Sequence, residues 1–314
     1  MNARTQAPAV APRSVEVIVV AFHSGDSLVS CLAALPAAGK NLELAITVVD
    51  NGSSENLESE IRKSGVSAEV LRSPVNLGYG GGNNLALRRA LKRRQRPSAV
   101  LVVNPDVELR PGALSELFAI LEETCCAAVS PRIQDASGTH GESPLRSLWG
   151  KPLRPFDRQG RRLRSVDRLP GSCMLMRTDV LAQVGLFDER YFLYWEEIDL
   201  CCRMRLANHT LLIAEDVAAV HDGAGDGSLK RHRIYYMWRN QIYFSFKNYG
   251  PFLGLFFVAR RLLIADVREV CGFLKRGKTE LIFAGLAGLW AGIRGESGAG
   301  VSSFAAPQRT PHGT

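Results

Sequence analysis

Four clusters along the 314-residue chain carry side chains able to do chemistry. Asp50 closes an apolar run and is followed by Asn51-Gly52-Ser53-Ser54. An acid there is more often part of a turn, though its carboxylate can also accept a hydrogen bond from the N3–H of a uracil or thymine ring. Next, Asn76-Leu77-Gly78-Tyr79-Gly80-Gly81-Gly82-Asn83-Asn84 leads into a helical pattern. Glycines let a backbone approach a ligand closely, and a helix start offers free N–H groups to phosphate or base edges. The segment lacks the Lys-Ser/Thr pair of a P-loop, and it follows a third strand, where a dinucleotide fingerprint follows the first. Asn104-Pro105-Asp106-Val107-Glu108 comes straight after another apolar run. Asp106 there either caps the next helix or binds a hard divalent cation, with diphosphate oxygens filling its remaining sites. Trp195-Glu196-Glu197-Ile198-Asp199 sets three acids in four positions, which repel one another unless a cation, a dipole or solvent offsets them. His221 ends a further apolar run, a place where a histidine is more often packed than metal-bound.

The elements that must position these residues follow from hydrophobic patterning. VEVIVVAF reads as a buried strand followed by a helix over Ser27–Leu35. LAITVV is a second strand ending at Asp50, and a helix over Leu57–Lys63 leads to the strand EVLR. A loop over Asn76–Gly82 precedes a basic helix from Asn83 to Gln95 and the strand AVLVVN. Pro111 then opens a helix at its favoured first position. Repeated β-α units with near-continuous Val/Ile/Leu strands predict an α/β fold, a parallel sheet with helices on both faces. Ligands of such sheets gather at the carboxyl ends of the strands, where Asp50 and Asp106 fall. Pro144–Arg168 turns basic and irregular, with eight Arg or Lys against two Asp; it reads as a solvated loop or as an acceptor-side lid. Order returns with the strand SCMLMR, a short helix near Asp179–Val184 and a helix over Glu197–Ala207, then two strands, TLLIA and VAAVH. The last helix has acids first and arginines last, as its dipole favours.

A hydrophobic content of 46% allows a sizeable core, and 22% charged residues exclude a disordered or fibrous chain. The net charge of +8 invites nucleic acid, anionic lipid or phosphorylated ligands. Seven cysteines without a CxxC pair fit neither a zinc site nor a secreted disulfide framework, and read as buried hydrophobes in a reducing compartment. Residues 1–13 read as a frayed tail without the apolar core of a signal peptide. No transmembrane helix is expected: Pro251–Ala265 is broken by Arg260 and Arg261, and Leu281–Ile293 is too short. Residues 229–294 interleave twelve Lys/Arg and three acids with aromatic and aliphatic side chains. That suits amphipathic helices on an anionic membrane surface, or helices packed on the main domain. Residues 295–314 are expected to be disordered.

Taken in order, Asp50, NLGYGGGNN, VVNPDVEL, GLFDERYFLYWEEIDLCCRMR and His221 resemble glycosyltransferase family 2 with its GT-A fold, particularly the bacterial rhamnosyltransferase-like branch. The resemblance runs from about Val15 to His221 and more loosely beyond. It implies a Rossmann-like, mostly parallel sheet flanked by helices, with a catalytic domain over residues 14–228. Its nucleotide-sugar half would be 14–134 and its acceptor half 135–228. Asp50 would hold the donor base with Phe22 lining the same pocket, and Asn76, Gly78, Gly82, Asn83 and Asn104 would complete the donor site. Asp106 would be the last acid of the metal motif, with Asn104 where many relatives carry an acid. His221 would be the second ligand of a Mg²⁺ or Mn²⁺ ion. Glu197 stands at the catalytic base, one methylene longer than the usual Asp, while Glu196 and Asp199 would orient the acceptor or backbone.

The expected enzyme is thus an inverting, metal-dependent glycosyltransferase. Its expected donor is dTDP-L-rhamnose, on the branch alone, and a UDP-sugar is the alternative because one Asp accepts N3–H from either base. The expected acceptor is a glycan or lipid-linked glycan, and the expected place is cytoplasmic, on the inner face of the plasma membrane. A homo-oligomer is left open. A sugar-phosphate nucleotidyltransferase would carry a glycine-rich phosphate loop where AFHSGDS stands. A nucleic-acid-binding protein would account for the charge, yet no RNA or DNA module is recognised and the acids cluster where a groove needs cations.

Overall fold

The β-branched run from Val15 to Val20 explains the centre of the molecule. In the computed structural model, which describes residues 13–53, 57–135, 156–158, 160–221 and 231–300, this run forms strand β1 (Ser14–Ala21). Its side chains alternate between two layers, as a strand's must. Val15, Val17 and Val19 enter a core shared with helices α1 (Gly25–Ala38) and α4 (Ala113–Thr124). Ile18 and Val20 enter a second core shared with α3 (Gly78–Lys92), α5 (Thr178–Val184) and α6 (Glu196–Leu206).

Strands β2 (Glu43–Asn51) and β4 (Ala99–Val103) pair in parallel on either side of β1, and β3 (Glu69–Ser73) adds to β2; α2 (Leu57–Ser64) connects β2 to β3. The sheet continues through β9 (Cys173–Arg177), β6 (Ala128–Gln134), β10 (Leu211–His221), β8 (Arg161–Val166) and β7 (Phe156–Arg158), in the order β3-β2-β1-β4-β9-β6-β10-β8-β7, while β5 (Val107–Leu109) pairs with β10. Strands β5, β8 and β9 run against the rest. The sheet is therefore mixed and mostly parallel, as expected. The expected nucleotide and acceptor halves share it, because β9 is inserted between β4 and β6. The order reverses at β1, which has β2 on one side and β4 on the other. That is where an open α/β sheet leaves a crevice for ligands.

Several elements differ from expectation. The glycine-rich stretch is helix, not loop: α3 starts at Gly78. TLLIA and VAAVH are one strand, β10, whose register with β6 shifts between Ala214 and Ala218. The expected lid over Pro144–Arg168 lies partly outside the described residues; its remainder forms β7 and β8, β8 pairing with β10.

The basic, aromatic region forms α7 (Arg231–Arg261), a π-helical turn (Leu262–Asp266), α8 (Val267–Lys275) and α9 (Thr279–Ile293). Helix α7 is two helices joined at Gly250 (φ 71°, ψ −178°), ahead of Pro251, whose ring cannot continue an unbroken helix. Its first half buries Tyr235, Tyr236, Trp238 and Phe244 and packs on α6 and on the turn before it. Helix α9 lies against it through small residues: a Cβ on Gly288 would sit 2.2 Å from the Tyr235 carbonyl oxygen. Of the segment 295–314 expected to be disordered, residues 295–300 are ordered and the rest lie outside the described residues. Gly298 accepts a hydrogen bond from Arg239 at 2.7 Å and Ala299 one from Tyr236 at 2.6 Å, which fixes this segment against α7.

Candidate active site

The carboxyl ends of β1 and β2 lie side by side, Ala21 opposite Asp50, with Phe22 next along. Asp50 is 8% exposed and its Oδ1 accepts the Ser53 N–H at 2.9 Å. Ser53 Oγ in turn accepts the His23 N–H at 3.2 Å, tying the two strand ends together. Gly52 (φ 84°) lets the turn close, since a Cβ there would lie 2.7 Å from the Val75 carbonyl carbon.

The start of α3 is built from two asparagines. Asn51 accepts the Leu77 N–H at 2.9 Å and donates to Asn76 Oδ1 and to the Gly78 carbonyl, both at 3.1 Å. Asn76 Oδ1 also accepts the Gly78 N–H at 2.8 Å. These bonds satisfy the first N–H groups of the helix, which otherwise lack partners, and so allow a helix to begin in glycine-rich text. The glycines admit neighbouring protein: a Cβ on Gly78 (φ 74°) would meet Phe192 O at 2.2 Å, and one on Gly82 would meet Val20 Cγ1 at 2.7 Å. The positions expected to cradle the donor thus pack helix α3 onto β1 and onto the turn at Phe192. Asn83 is buried and donates to Tyr79 O at 2.9 Å. Asn84, which sequence reasoning passed over, makes reciprocal bonds with the backbone of Phe187.

A cavity of about 650 Å³ opens beside this region. Asn104, Ser172 and His221 line one part of it, Tyr79, Gly171, Glu196 and Glu197 another, and Arg168, Arg233 and Tyr194 its remaining wall. The antiparallel β5–β10 pairing sets His221 opposite Val107, which leaves Asp106 Oδ1 3.2 Å from His221 Nε2. This Oδ1 is buried and accepts no hydrogen bond from the described residues. A hard oxygen and an imidazole nitrogen at that distance fit a divalent cation. No group of three His, Cys, Asp or Glu suited to a metal occurs among the described residues, so oxygens of a bound diphosphate would have to complete the shell.

The three acids of the cluster occupy three environments. Glu196 is 3% exposed, and its Oε2 has no hydrogen-bond partner among the described residues. Burial, and then the neighbouring charge of Glu197, hold its carboxyl well above the usual carboxylate range. Glu197 is half-buried on the cavity wall, and its side chain passes so near Gly171 that a Cβ there would sit 3.3 Å from Glu197 Cγ. Asp199 does not reach the cavity. It is fully buried and accepts bonds from Tyr191 (3.2 Å), Arg203 (2.9 Å), Lys247 (2.8 Å) and Asn248 (3.1 Å), joining α6 to α7. Of its two expected roles, orienting the acceptor or the backbone, these bonds fit the second: with two cations at hand, Asp199 sits where a buried charge is tolerated.

Sequence reasoning missed what holds the acids in place. The chain enters α6 through a turn in which Phe192 (φ 67°, ψ −62°), Tyr194 (φ 65°) and Trp195 (φ 80°) all have positive φ. The Leu193 N–H donates to Tyr191 O at 2.9 Å, closing a γ-turn at Phe192. Non-glycine residues in such conformations cost about 1–3 kcal/mol each and persist only when surroundings enforce them. Helix α7 does so. Asn240 Nδ2 donates to the carbonyls of Tyr191, Leu193 and Tyr194 at 2.8–3.0 Å, and Arg239 donates to Tyr191 O at 2.7 Å. The Trp195 indole donates to Met237 O at 3.1 Å. The available signal was Arg239-Asn240-Gln241, three polar residues inside an aromatic helix. Arg168 and Arg233 were also missed; both line the cavity and neither forms an ion pair with a described residue.

The mixed α/β sheet thus carries Asp50 at the end of β2, and a cavity lined by the half-buried Glu197 and by His221, the partner of Asp106. Residues 16–185 match the family described as Glycosyl transferase family 2, and the chain belongs to it. The low-salt glycan biosynthesis hexosyltransferase Agl10 of Haloferax volcanii is 28% identical over 90% of this chain and 92% of its own. The N-acetylglucosaminyl-diphospho-decaprenol L-rhamnosyltransferase of Mycobacterium tuberculosis is 28% identical over 66% of this chain and 76% of its own. Among solved structures, the mannosyltransferase PcManGT from Pyrobaculum calidifontis, in complex with GDP-Man and Mn²⁺, superposes with a TM-score of 0.57 at 13% identity, covering 92% of this chain and 89% of that one. That likeness bears out the expected GT-A-type α/β fold.

Asn240→Ala removes the side-chain donor of the Leu193 and Tyr194 carbonyls and one of the donors to Tyr191 O, and lets Glu196 and Glu197 drift. Turnover should fall by about 10²-fold, the cost of roughly 1 Å of misplacement, while nucleoside diphosphate binding by calorimetry stays near wild type. Equal losses in both would mean that the donor site depends on the same clamp.

Proposed function

We propose that this glycosyltransferase moves L-rhamnose from dTDP-L-rhamnose to a lipid-linked glycan with inversion of configuration. The observation that carries the proposal is the placing of Glu197, a half-buried carboxylate, in the same cavity as Asn104 and His221. The acceptor hydroxyl oxygen attacks C1 of the sugar, its proton passes to Glu197, and the bond from C1 to the diphosphate oxygen breaks with its electrons leaving on the nucleotide. Asp50 accepts N3–H of the donor base beside Phe22. Asp106 and His221 would hold a divalent cation, which when bound would neutralise charge on the diphosphate leaving group. Arg168 and Arg233 add positive charge on the open side of the cavity, where a second phosphate group of the acceptor would lie. The names of the mycobacterial and haloarchaeal relatives support a hexose donor and a glycan acceptor; a UDP-sugar remains the alternative donor.

A lipid-borne acceptor also suits the surface. Of the fifteen exposed large hydrophobic side chains among the described residues, twelve lie between Phe252 and Ile293, including Phe252, Phe256, Leu263, Phe283 and Trp290. Arg260, Arg268, Lys275 and Arg276 are interspersed with them. No helix among the described residues is long and apolar enough to cross a membrane. The proposed partner is an anionic bilayer surface, with these helices lying in its interface.

Three measurements test this. In a panel of nucleotide sugars, dTDP-L-rhamnose should be turned over, and Glu197→Gln should lower the rate by about 10²–10⁴-fold with donor affinity retained; a rate near wild type would remove Glu197 from the mechanism. Chelation should abolish transfer and weaken nucleoside diphosphate binding, and Asp106→Asn should reproduce both effects. Finally, full-length protein should sediment with phosphatidylglycerol vesicles at low salt and be partly released by high salt. The double variant Phe252→Ser/Phe256→Ser should bind them weakly, and a change in oligomeric state instead would assign the face to a second copy.

A further inference from the structure

The cavity holds a carboxyl group that the reaction as written leaves unused. Glu196 follows Trp195 at the first position of α6, one residue before the proposed base, yet the two side chains differ sharply in surroundings. Glu197 is half-buried, whereas Glu196 is 3% exposed and its Oε2 finds no partner among the described residues, although the side chain lines the same cavity. Around it stand Tyr79 and the Cα of Gly80 from α3, Tyr194 from the turn, Glu197 from its own helix and Arg239 from α7. Arg168, Arg233 and His221 also line the cavity, Arg233 lying over the Tyr194 ring. Arg239 is the nearest cation acting on Glu196, but its guanidinium is taken up by Asn240 Oδ1 and the carbonyls of Tyr191 and Gly298. Tyr79 is likewise engaged, its hydroxyl donating to Gly171 O.

We propose that Glu196 is a hydrogen-bond donor to the acceptor sugar, its Oε2–H binding an acceptor oxygen next to the hydroxyl that Glu197 deprotonates. This deepens the reading of the cavity as the acceptor site and rests on it. A buried polar atom without a partner is costly unless a ligand completes it, and two adjacent carboxyls in a dry site do not both ionise. Burial together with the Glu197 charge keeps the proton on Glu196. The pair then divides its work: one member accepts a proton from the nucleophile, and the other fixes the sugar's orientation by donating. A single negative charge also leaves the cavity less repulsive to an incoming phosphate-bearing acceptor.

The test compares isosteres. Gln presents an N–H donor of the same length, so Glu196→Gln should keep kcat and acceptor KM within about threefold of wild type, while Glu196→Ala should raise acceptor KM by about tenfold or more, the worth of one buried hydrogen bond. The pH profile gives a readout independent of folding damage. The raised acid is protonated below its folded-state pKa, so wild-type kcat/KM should fall as pH rises through that value. Glu196→Gln, which has no proton to lose there, should lack this alkaline limb. Binding of dTDP, measured for each variant, confirms an intact donor site. If Glu196→Gln is as impaired as Glu196→Ala, or keeps the alkaline limb unchanged, the proposal is overturned. Should Glu197→Gln remain active in the same assay, the base assignment fails instead, and the Glu196 comparison still stands on its own pH profile.

Discussion

The turn from Tyr191 to Trp195 cannot hold its shape by itself. It places three non-glycine residues at positive φ within four positions and turns several carbonyls away from any helix or sheet partner. A buried carbonyl without a donor costs about 1–3 kcal/mol, on top of the backbone strain. Asn240 and Arg239 meet those carbonyls from α7, and Gly78 lets α3 approach close enough for the Tyr79 N–H to donate to Phe192 O at 2.8 Å. The turn is therefore clamped from both sides. Its far end is the first residue of α6, so the direction in which Glu196 and Glu197 project follows from that clamp. Elements separated by more than a hundred residues meet at this point, and the cavity exists because they do.

The same constraint sorts the acids. Consecutive residues on a helix point about 100° apart, so Glu196 and Glu197 reach the cavity from different angles and with different access to water. Asp199, two residues beyond Glu197 and so about 200° round the helix from it, faces α7. It meets Arg203 and Lys247, and removing one partner from such a buried group typically costs about 3–5 kcal/mol. Three acids that look equivalent as text therefore become a wall residue, a buried acid and a structural anchor.

Of the two readings that the sequence offered for the C-terminal helices, packing on the rest of the fold holds for the first half of α7. The first half of α7 is part of the catalytic architecture through Arg239, Asn240, Lys247 and Asn248. Beyond the break at Gly250 the exposed faces turn apolar, with Phe252 90% exposed. A single helix supplies both because glycine and proline at its middle release the second half from the packing of the first. Loss of this region would thus damage the active site as well as the surface.

Much of the framework was legible from the sequence alone. Val/Ile/Leu runs marked β1, β2 and β4 because strands buried on both faces must be apolar throughout. The acids at their ends were found because parallel sheets gather ligands there, and the family followed from the ordered motifs. What the sequence could not decide were relations between distant segments. Helix propensity argued against a helix starting in Gly78–Gly82; only the side chains of Asn51 and Asn76, brought from another strand and turn, supply the missing partners. Nothing local distinguishes Glu196, Glu197 and Asp199, since burial and ion pairing depend on α3 and α7. Asn240 reads as one polar residue in an aromatic helix until the fold sets three carbonyls before it. Local patterns encode which elements form, but the protonation, exposure and aim of a side chain belong to its whole surroundings, and those are assembled only by tertiary packing.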